Sequence, residues 1–299
     1  MPIISLIARP GQLDAALVQN LLGAFGAVGQ AVWLSPDEAA EFPVANFPPS
    51  LNDVRSGLVD MAVDVNCIPE QNRRKTLLIA DMDSTMIDQE CIDELAAEAG
   101  VGDRVADITA RAMNGALDFE AAIIERVGLL KGLPIEIISK VLDTRISFAK
   151  GGDMLVRTMR ANGAYAALVS GGFLQFTNVV GKKLGFDETR ANTLIEANGK
   201  LTGEVGRPIL GRDAKVEALH QLALDPATAI AVGDGANDLG MIEAAGMGVA
   251  LHAKPVVAEA APLRIDHGDL TALLFLQGYS RDEFLEGPDF FGRNHVEIF

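Results

Sequence analysis

The sequence predicts an α/β protein with a doubly wound parallel sheet core, an inserted helical cap and a small N-terminal α+β domain. Several apolar runs each end at a polar or glycine turn and are followed by a segment with helical spacing. A long stretch without strand character separates the first of these runs from the second, and residues 1–72 follow a pattern of their own. Continuous apolar strands that alternate with helices are typical of a parallel sheet covered on both faces.

The composition is that of a globular protein with an acidic surface. The chain has 299 residues, 49% of them hydrophobic, and a net charge of −16. A charge of that sign disfavours nucleic acids and anionic membrane surfaces as partners, and no apolar run approaches the roughly 20 residues that cross a bilayer. The two cysteines, Cys67 and Cys91, are too few for a disulfide framework and are expected to be buried free thiols. We therefore expect a soluble, cytoplasmic protein.

Residues 1–72 are predicted to form a separate small module. "IISLIA" and "QAVWL" favour strands, "LDAALVQNLLGAF" has helical apolar spacing, and "LVDMAVDV" alternates as a further strand would. Such an α+β unit suits either regulation by a bound small molecule or packing and dimerisation, of which the second role is favoured. Residues 73–299 would then form the second, larger domain.

Three apolar runs are predicted to be the main core strands: "TLLIAD" at 76–81, "YAALVSGG" at 165–172 and "TAIAVGDG" at 228–235. Two weaker strands, "MGVAL" and "LRIDH", follow them. In parallel sheets of this kind, ligands bind at the carboxyl ends of the strands. The acids and the glycine-serine turn of these runs all fall at that end. This edge of the sheet is therefore predicted to carry the functional site.

An inserted helical cap is predicted over about residues 89–150, which divides the core into 73–88 and 151–299. Helical spacing is present in "VADITARAMNG", "DFEAAIIERVGLL" and "PIEIISKVLDTRI". An ordinary crossover between parallel strands needs one helix, so the additional helices are expected to lie over the strand ends as a lid that excludes water. Farther along the chain, Asn198-Gly199 between two alternating runs predicts a β-hairpin.

The acids at the strand ends predict a metal site. Asp81 and Asp83 are two residues apart, so in an extended segment their side chains point the same way, and Asp234 follows another strand. Ligands that are all oxygen atoms suit Mg²⁺ better than zinc. A carboxylate that stays ionised can attack phosphorus, and a neighbouring acid with a raised pKa can protonate the leaving group.

A second group of residues suits an anionic phosphoryl group. Ser170 and Gly171 supply hydroxyl and N–H donors, and Lys215 supplies a positive charge. Each signal alone is weak, because acidic turns often cap helices and glycine-rich turns are common. Their occurrence in this order at successive strand ends favours phosphoryl transfer through an aspartyl-phosphate.

The motifs "DMDST", "SGG", "GRDAK" and "GDGAND" resemble the four motifs of the haloacid dehalogenase superfamily of phosphatases. From residue 76 to about residue 275, runs such as "DMDSTMIDQECIDELAAEAG" and "AVGDGANDLGMIEAAGMGVAL" are similar to the phosphoserine phosphatase family within it. Members of that family often carry an ACT-like module before this region, so the resemblance makes the N-terminal module an ACT-like domain. That module and the tail after Gly278 lie outside the similar region.

The resemblance implies a role for each motif residue. Asp81 would be the nucleophile and Asp83 the general acid and base. Mg²⁺ would be bound by the Asp81 side chain, the Asp83 main-chain carbonyl and Asp234. Asp238 would orient Lys215. Ser170, Gly171 and Lys215 would hold the substrate phosphate, and Asn237 would touch the substrate or its phosphate.

The implied substrate is O-phospho-L-serine, and the residues that would select it lie on and near the cap. Glu90 would pair with the ammonium group, and Arg126 would hold the carboxylate as a two-pronged donor. Met113 and Phe119 would provide apolar cover. Without the resemblance, these four residues would be interpreted as helix surface or as the core of the cap. The resemblance also implies a homodimer.

The expected function is thus Mg²⁺-dependent hydrolysis of O-phospho-L-serine to L-serine and phosphate, the last step of serine biosynthesis. Two alternatives stay open. The same motifs would serve a phosphotransferase that passes the phosphoryl group to another hydroxyl. The N-terminal module would also suit a regulatory binding protein that has lost catalysis, although the intact acids and lysine of the motifs argue against this alternative.

Overall fold

The structure, a computed structural model, describes residues 1–113 and 116–287, with Met113 described in its main chain only. The strands in these ranges are β1 (Pro2–Ile7), β2 (Val32–Ser35), β3 (Ala39–Pro43), β4 (Asp64–Pro69), β5 (Leu77–Ala80), β6 (Tyr165–Phe173), β7 (Glu188–Asn192), β8 (Leu194–Ala197), β9 (Lys200–Val205), β10 (Ala229–Gly233), β11 (Met247–Leu251) and β12 (Leu263–Ile265). The helices are α1 (Ala15–Phe25), α2 (Leu51–Gly57), α3 (Cys91–Glu98), α4 (Gly102–Met113), α5 (Phe119–Gly128), α6 (Glu136–Thr144), α7 (Gly152–Ala161), α8 (Leu174–Leu184), α9 (Arg212–Leu222), α10 (Leu239–Ala244), α11 (Pro255–Ala260) and α12 (Ala272–Leu276). No helix in these ranges is long and apolar enough to span a bilayer.

The N-terminal module contains a four-stranded antiparallel sheet with strand order β2-β3-β1-β4. One face of β1 packs with α1 through Ile4 and Leu6. Ile3 and Ile7 alternate with them and join the core cluster of the larger sheet. This alternation follows from the period of two along a strand when both of its faces are covered. The predicted α+β character of the module is confirmed.

Individual residues set where the local elements of the module begin. Asp14 caps α1, because its carboxylate accepts a hydrogen bond from the main-chain N–H of Ala16 at 2.6 Å.

The prediction of a strand in "LVDMAVDV" is wrong for its first part. Val59–Met61 is a 3₁₀ turn, Ala62 follows with a φ of 52°, and β4 begins only at Asp64. The side chains of this turn are exposed, so the alternation there does not mark a buried face.

The predicted parallel sheet is confirmed as a six-stranded sheet with strand order β12-β11-β10-β5-β6-β7. β5 lies at its centre and is buried on both faces. Leu78 and Ala80 belong to the core that includes α8, and Leu77 and Ile79 belong to the core that includes α9. β7 was not predicted, because it carries no apolar run.

The insertion between β5 and α7 contains the four helices α3 to α6, of which α4, α5 and α6 lie in the three segments where cap helices were predicted. Its two ends meet through an isolated bridge between Ile87 and Phe148. The predicted hairpin is formed by β8 and β9, with Asn198-Gly199 at its turn. It packs on the cap, since the N–H of Gly132 donates to the Leu201 carbonyl at 2.8 Å.

Polar contacts hold the N-terminal module against the edge of the larger sheet. Asn66 donates from Nδ2 to the Arg264 carbonyl at 2.9 Å and accepts from the Arg264 N–H at 3.0 Å. The Asp64 carboxylate accepts hydrogen bonds from the main-chain N–H groups of 266–268.

Both cysteines are buried free thiols, as expected. The division of the chain at residue 72 stays a prediction.

Candidate active site

The residues predicted to form the site converge at the carboxyl end of the parallel sheet. A cavity of about 460 Å³ lies there, between the strand ends and the cap. The predicted residues that line it are Asp81, Asp83, Glu90, Phe119, Arg126, Ser170, Gly171, Asp234 and Asn237. Lys215 and Asp238 are buried behind this lining. The side chain of Met113 lies outside the described residues.

Asp81 follows β5 directly, and its main-chain N–H still donates to Val232 of the neighbouring strand at 3.0 Å. Its carboxylate accepts a hydrogen bond from the N–H of Met82 at 2.8 Å and forms an ion pair with Lys215 at 2.7 Å. Burial lowers the pKa of Lys215, but the charges of Asp81 and Asp238 more than offset this, so its pKa is raised and it stays charged. The carboxylate of Asp81 is thus held by fixed donors at the floor of the cavity.

Asp83 is in a different environment from Asp81. Loss of hydration in the closed site, followed by the nearby charges of Glu90 and Asp81, raises the pKa of Asp83 to about 7. The N–H of Cys91, at the start of α3, donates to its Oδ1 at 3.1 Å and opposes the shift. A carboxyl group that both gives and takes a proton near neutral pH suits general acid–base catalysis.

Asp234 and Asp238 complete an acidic group with Asp81. Carboxylate oxygens of the three residues lie within 4.8 Å of one another. Burial and the charge of Asp81 raise the pKa of Asp234 to about 6. Both oxygens of Asp238 are engaged, one by Lys215 at 2.5 Å and the other by the N–H of Gly235 at 3.0 Å. The side chains of Asp81 and Asp234 are therefore the better placed of the three to bind a cation.

The chemistry of this group fits a metal ion. Among the described residues, Lys215 is the only buried cation that pairs with this group, and it contacts the carboxylates of Asp81 and Asp238 but not that of Asp234. Lys254 lies 3.9 Å from Asp234 and is itself mostly exposed. The negative charge of the three carboxylates is therefore not balanced, and burying them in ionised form costs free energy unless a further cation binds. A donor set made of carboxylate oxygens is one that hard divalent ions prefer.

The glycine turn, Gly171-Gly172 in the last part of β6, is fixed by one buried side chain. Asn192, the last residue of β7, donates to the Gly171 carbonyl at 2.9 Å and accepts from the N–H of Leu210 at 2.7 Å. It thereby ties the turn to the loop that leads to Lys215. The turn is also braced from within, because the N–H of Gly172 donates to Ser170 Oγ at 2.8 Å. Sequence reasoning missed Asn192, since a polar strand end gives no periodic signal.

Gly172 has no room for a side chain. A Cβ atom there would lie 2.7 Å from Asp83 Oδ2 and 3.0 Å from Ser170 Oγ. We expect Gly172→Ala to displace the Asp83 carboxyl and to lower kcat/KM by about tenfold or more. Gly23→Ala, on the exposed side of α1 with open space around it, is the matched control and should leave kcat/KM unchanged. An unchanged kcat/KM for Gly172→Ala would mean that Asp83 does not need its present position.

Arg126 lies at the cap end of the cavity. Its Nε donates to the Ala122 carbonyl of the same helix at 3.3 Å, and it forms no ion pair with any carboxylate in residues 1–113 and 116–287. Burial lowers its pKa, while the charges of Asp93, Glu90 and Asp83 oppose that shift. The structure thus presents a half-buried guanidinium to the cavity without a carboxylate bound to it.

Glu90 and Phe119 lie near the same end. Glu90 precedes α3 and accepts a hydrogen bond from Ser84 Oγ at 3.0 Å. The ring of Phe119 covers the glycine turn, because a Cβ atom on Gly171 would lie 3.4 Å from it.

Lys254, which also lines the cavity, was not predicted. It follows the end of β11, so the rule that ligands bind at the carboxyl ends of strands would have found it.

The fold and this site together define a class of hydrolase. A family profile described as haloacid dehalogenase-like hydrolase matches residues 78–243, more than half of the chain. The chain therefore belongs to the haloacid dehalogenase-like hydrolases.

Within that family, its similar relatives are phosphoserine phosphatases. The phosphoserine phosphatase of Archaeoglobus fulgidus is 44% identical over 206 residues, which cover 68% of this chain and 60% of that protein. The one from Streptococcus thermophilus is 48% identical over 200 residues, which cover 66% of this chain and 93% of that protein. The chain thus spans less than two thirds of the length of the Archaeoglobus relative.

Solved structures agree with the relatives. A haloacid dehalogenase family hydrolase from Salmonella enterica serovar Typhi superposes with a TM-score of 0.84 at 31% identity, covering 94% of this chain and 99% of that chain. A phospho-aspartyl intermediate analogue of phosphoserine phosphatase superposes with a TM-score of 0.63 at 42% identity, covering 68% of this chain and 98% of that chain. The first match extends over the N-terminal module as well as the larger domain.

Proposed function

We propose that the protein hydrolyses O-phospho-L-serine to L-serine and inorganic phosphate, with Mg²⁺ as its cofactor. The observation that carries this proposal is the presence, in one cavity, of the Asp81 and Asp234 carboxylates and of Arg126 without a carboxylate partner among the described residues. The acidic group suits phosphoryl transfer in general. An arginine and a glutamate at the other end of the cavity suit an ester whose alcohol carries both a carboxylate and an ammonium group.

Substrate binding uses both ends of the cavity. Ser170 and the N–H of Gly171 hold the phosphate oxygens, while the guanidinium of Arg126 holds the carboxylate through two parallel hydrogen bonds. Glu90 accepts from the ammonium group. Phe119 closes the apolar side of the site and limits access of water.

The first half of the reaction transfers the phosphoryl group to the protein. A carboxylate oxygen of Asp81 attacks phosphorus, a new P–O bond forms to Asp81, and the P–O bond to the serine oxygen breaks. Asp83 in its protonated form donates its proton to the departing oxygen, so L-serine leaves as the neutral alcohol.

The second half hydrolyses the aspartyl-phosphate. Asp83, now ionised, takes a proton from a water molecule as that water attacks phosphorus. The P–O bond to Asp81 breaks, the Asp81 carboxylate is restored and inorganic phosphate leaves. Lys215 stays paired with Asp81 and Asp238 throughout and provides a fixed positive charge.

The metal ion would be held by the side chains of Asp81 and Asp234 and by the main-chain carbonyl of Asp83. When bound, it supplies positive charge that stabilises the negative charge on the phosphoryl oxygens. Thr85 supports this role of Asp234, because its Oγ1 donates to Asp234 Oδ1 at 3.4 Å and helps to orient that carboxylate.

The experiment that tests the proposal measures phosphate release from phosphoserine, phosphothreonine, homoserine phosphate and p-nitrophenyl phosphate, each with Mg²⁺ and with EDTA. We expect clear preference for phosphoserine and loss of activity with EDTA that added Mg²⁺ restores. Metal-dependent release without preference would contradict the roles of Glu90 and Arg126. Release of L-serine without matching phosphate when another alcohol is added would identify a phosphotransferase. The homodimer stays a prediction.

A further inference from the structure

A second cavity, of about 320 Å³, lies between the N-terminal module and the larger domain. The module contributes Arg9 and Glu38 to it, and the larger domain contributes Lys150, His252 and His267. None of its lining residues lines the active-site cavity. Cavities of this size at domain interfaces are common places for small ligands.

The donors that face this cavity are incompletely used. Arg9 reaches only the His267 carbonyl, at 3.5 Å from its Nε, and makes no ion pair within the described part of the chain. The ring of His267 makes no hydrogen bond there either. The ring of His252 lies with Nε2 at 2.7 Å from the Gly268 carbonyl, which fixes the proton on that nitrogen.

The acids of the same cavity are already engaged. Glu38 is buried, accepts from Ser35 Oγ at 2.6 Å and pairs with Arg281 at 3.4 Å. Asp269 accepts from the N–H of Thr271 at 2.9 Å and faces Lys150 at 3.4 Å. The unused capacity is therefore positive, in a chain whose net charge is −16. A small oxyanion is the ligand that this balance favours.

One wall of the cavity is the segment where the cap returns to the core. The carbonyl of Lys150 accepts from the N–H of Leu270 at 3.1 Å, and Ala149, just before it, donates to the Met86 carbonyl near the start of the cap. Gly151 has a φ of 81°, and a Cβ atom there would lie 2.7 Å from the Thr271 side chain. Because this segment is packed without spare room, a ligand that moves Lys150 must also act on the end of the cap.

A second wall leads to the acidic group of the active site. His252 follows β11 with a φ of 44°, in the left-handed region that residues other than glycine adopt uncommonly, histidine, asparagine and aspartate more often than the rest. Two residues farther on, the N–H of Lys254 donates to the Asp234 carbonyl at 3.2 Å. The position of this short segment therefore links the cavity to a residue of the catalytic site.

We propose that this cavity is an effector site for a small oxyanion, a carboxylate or a phosphate, bound by Arg9, Lys150 and the ring of His267, with the ring of His252 beside it. Binding acts on catalysis through the two segments that border the cavity. The molecule that carries the oxyanion must fit a cavity of about 320 Å³. Titration with inorganic phosphate and with acetate distinguishes a phosphate ligand from a carboxylate ligand.

Histidine NMR signals test binding without reference to activity. The chain has four histidines, of which His252 and His267 line the cavity and His220 lies on α9. Titration with inorganic phosphate and with acetate, at constant pH and ionic strength, should shift the ring signals of His252 and His267 saturably and leave His220 unmoved. His252→Asn, which tolerates the positive φ, and His267→Asn assign the signals.

Arg9→Gln removes the positive charge of Arg9 from this cavity, and Arg104→Gln is its matched control. We expect it to raise the Kd of the bound probe by about tenfold or more, since a charge-assisted hydrogen bond is lost. Arg104→Gln, an exposed cap arginine without an ion pair among the described residues, should leave Kd unchanged. A response to phosphate alone identifies a phosphate site, and a response to both probes identifies a site that accepts carboxylates. No saturable shift, or an unchanged Kd in Arg9→Gln, overturns the proposal.

The effector role has its own readout. At saturating p-nitrophenyl phosphate, a concentration of acetate that just saturates the histidine shifts should change kcat in the wild-type protein and have a clearly smaller effect in Arg9→Gln. An equal effect in both proteins, or none in either, overturns coupling to catalysis. If the protein proves to lack phosphatase activity, the NMR titration still decides whether the site binds an oxyanion.

Discussion

Asp81→Asn is expected to abolish turnover and to leave the fold intact. The amide is a poor nucleophile, so the phosphoryl group has no acceptor on the protein and kcat should fall by about 10⁴-fold or more. Lys215 keeps its contact with Asp238 at 2.5 Å in the variant, so the buried ammonium is not left alone. Phosphate release from phosphoserine at saturating Mg²⁺ measures the change.

The stability of the same variant provides the control for misfolding. Replacing Asp81 removes one ion pair but also removes repulsion toward Asp234 and Asp238, whose carboxylates lie within 4.8 Å. We therefore expect a Tm equal to or above that of the wild type. Asp103→Asn, on an exposed turn of the cap, is the matched charge change and should keep full activity. Activity of Asp81→Asn within about tenfold of wild type would exclude Asp81 as the nucleophile.

The strand ends were predictable because periodicity and topology act together there. Asp81, Ser170 and Asp234 each follow an apolar run, and the runs form adjacent parallel strands in the order β10-β5-β6. Once a parallel sheet is predicted, its carboxyl edge must collect these residues. The cap was predictable from the topology as well, because the segment between the first two strands is too long for a single crossover helix.

Other parts of the site depend on contacts that a single sequence does not reveal. The contact of Lys215 with the phosphate stays a prediction, while its ion pair with Asp81, at 2.7 Å, emerged only from the structure. Asn192 ends a polar edge strand, and only the fold brings it to the glycine turn. Neither position carries a periodic pattern, because each is set by packing between elements distant in the chain.

The N-terminal module, too, was predictable only in part from the sequence. The run "IISLIA" predicted the strand β1, but it did not reveal which elements would cover its two faces, α1 on one side and the larger domain on the other. The polar contacts of Asp64 and Asn66 with the edge of the parallel sheet gave no signal either, since buried acids and amides look like surface residues in a sequence. Consequently the cavity between module and core emerged only from the structure.

Arg126→Ala is expected to lower kcat/KM for phosphoserine by about a hundredfold or more, because a carboxylate would then enter a half-buried site without its partner. O-Phosphoethanolamine keeps the phosphate and the ammonium group and lacks only the carboxylate. With this ester the wild type should already be slow, and Arg126→Ala should change its kcat/KM by less than about threefold. The comparison forms a cycle in which one partner is removed from the protein and the other from the substrate.

The cycle separates recognition from an indirect effect on the reacting groups. Arg126 lies close enough to Asp83 for its charge to influence that carboxyl, so its removal could slow every ester alike. An equal loss on phosphoserine and on phosphoethanolamine would assign Arg126 to that indirect role and contradict its proposed contact with the carboxylate. Arg126→Lys keeps the charge but loses the two-pronged geometry. If the contact is real, Arg126→Lys should leave the rate on phosphoethanolamine unchanged, because that ester has no carboxylate for residue 126 to hold. It should restore the rate on phosphoserine only in part, because the carboxylate of that ester needs the two-pronged geometry.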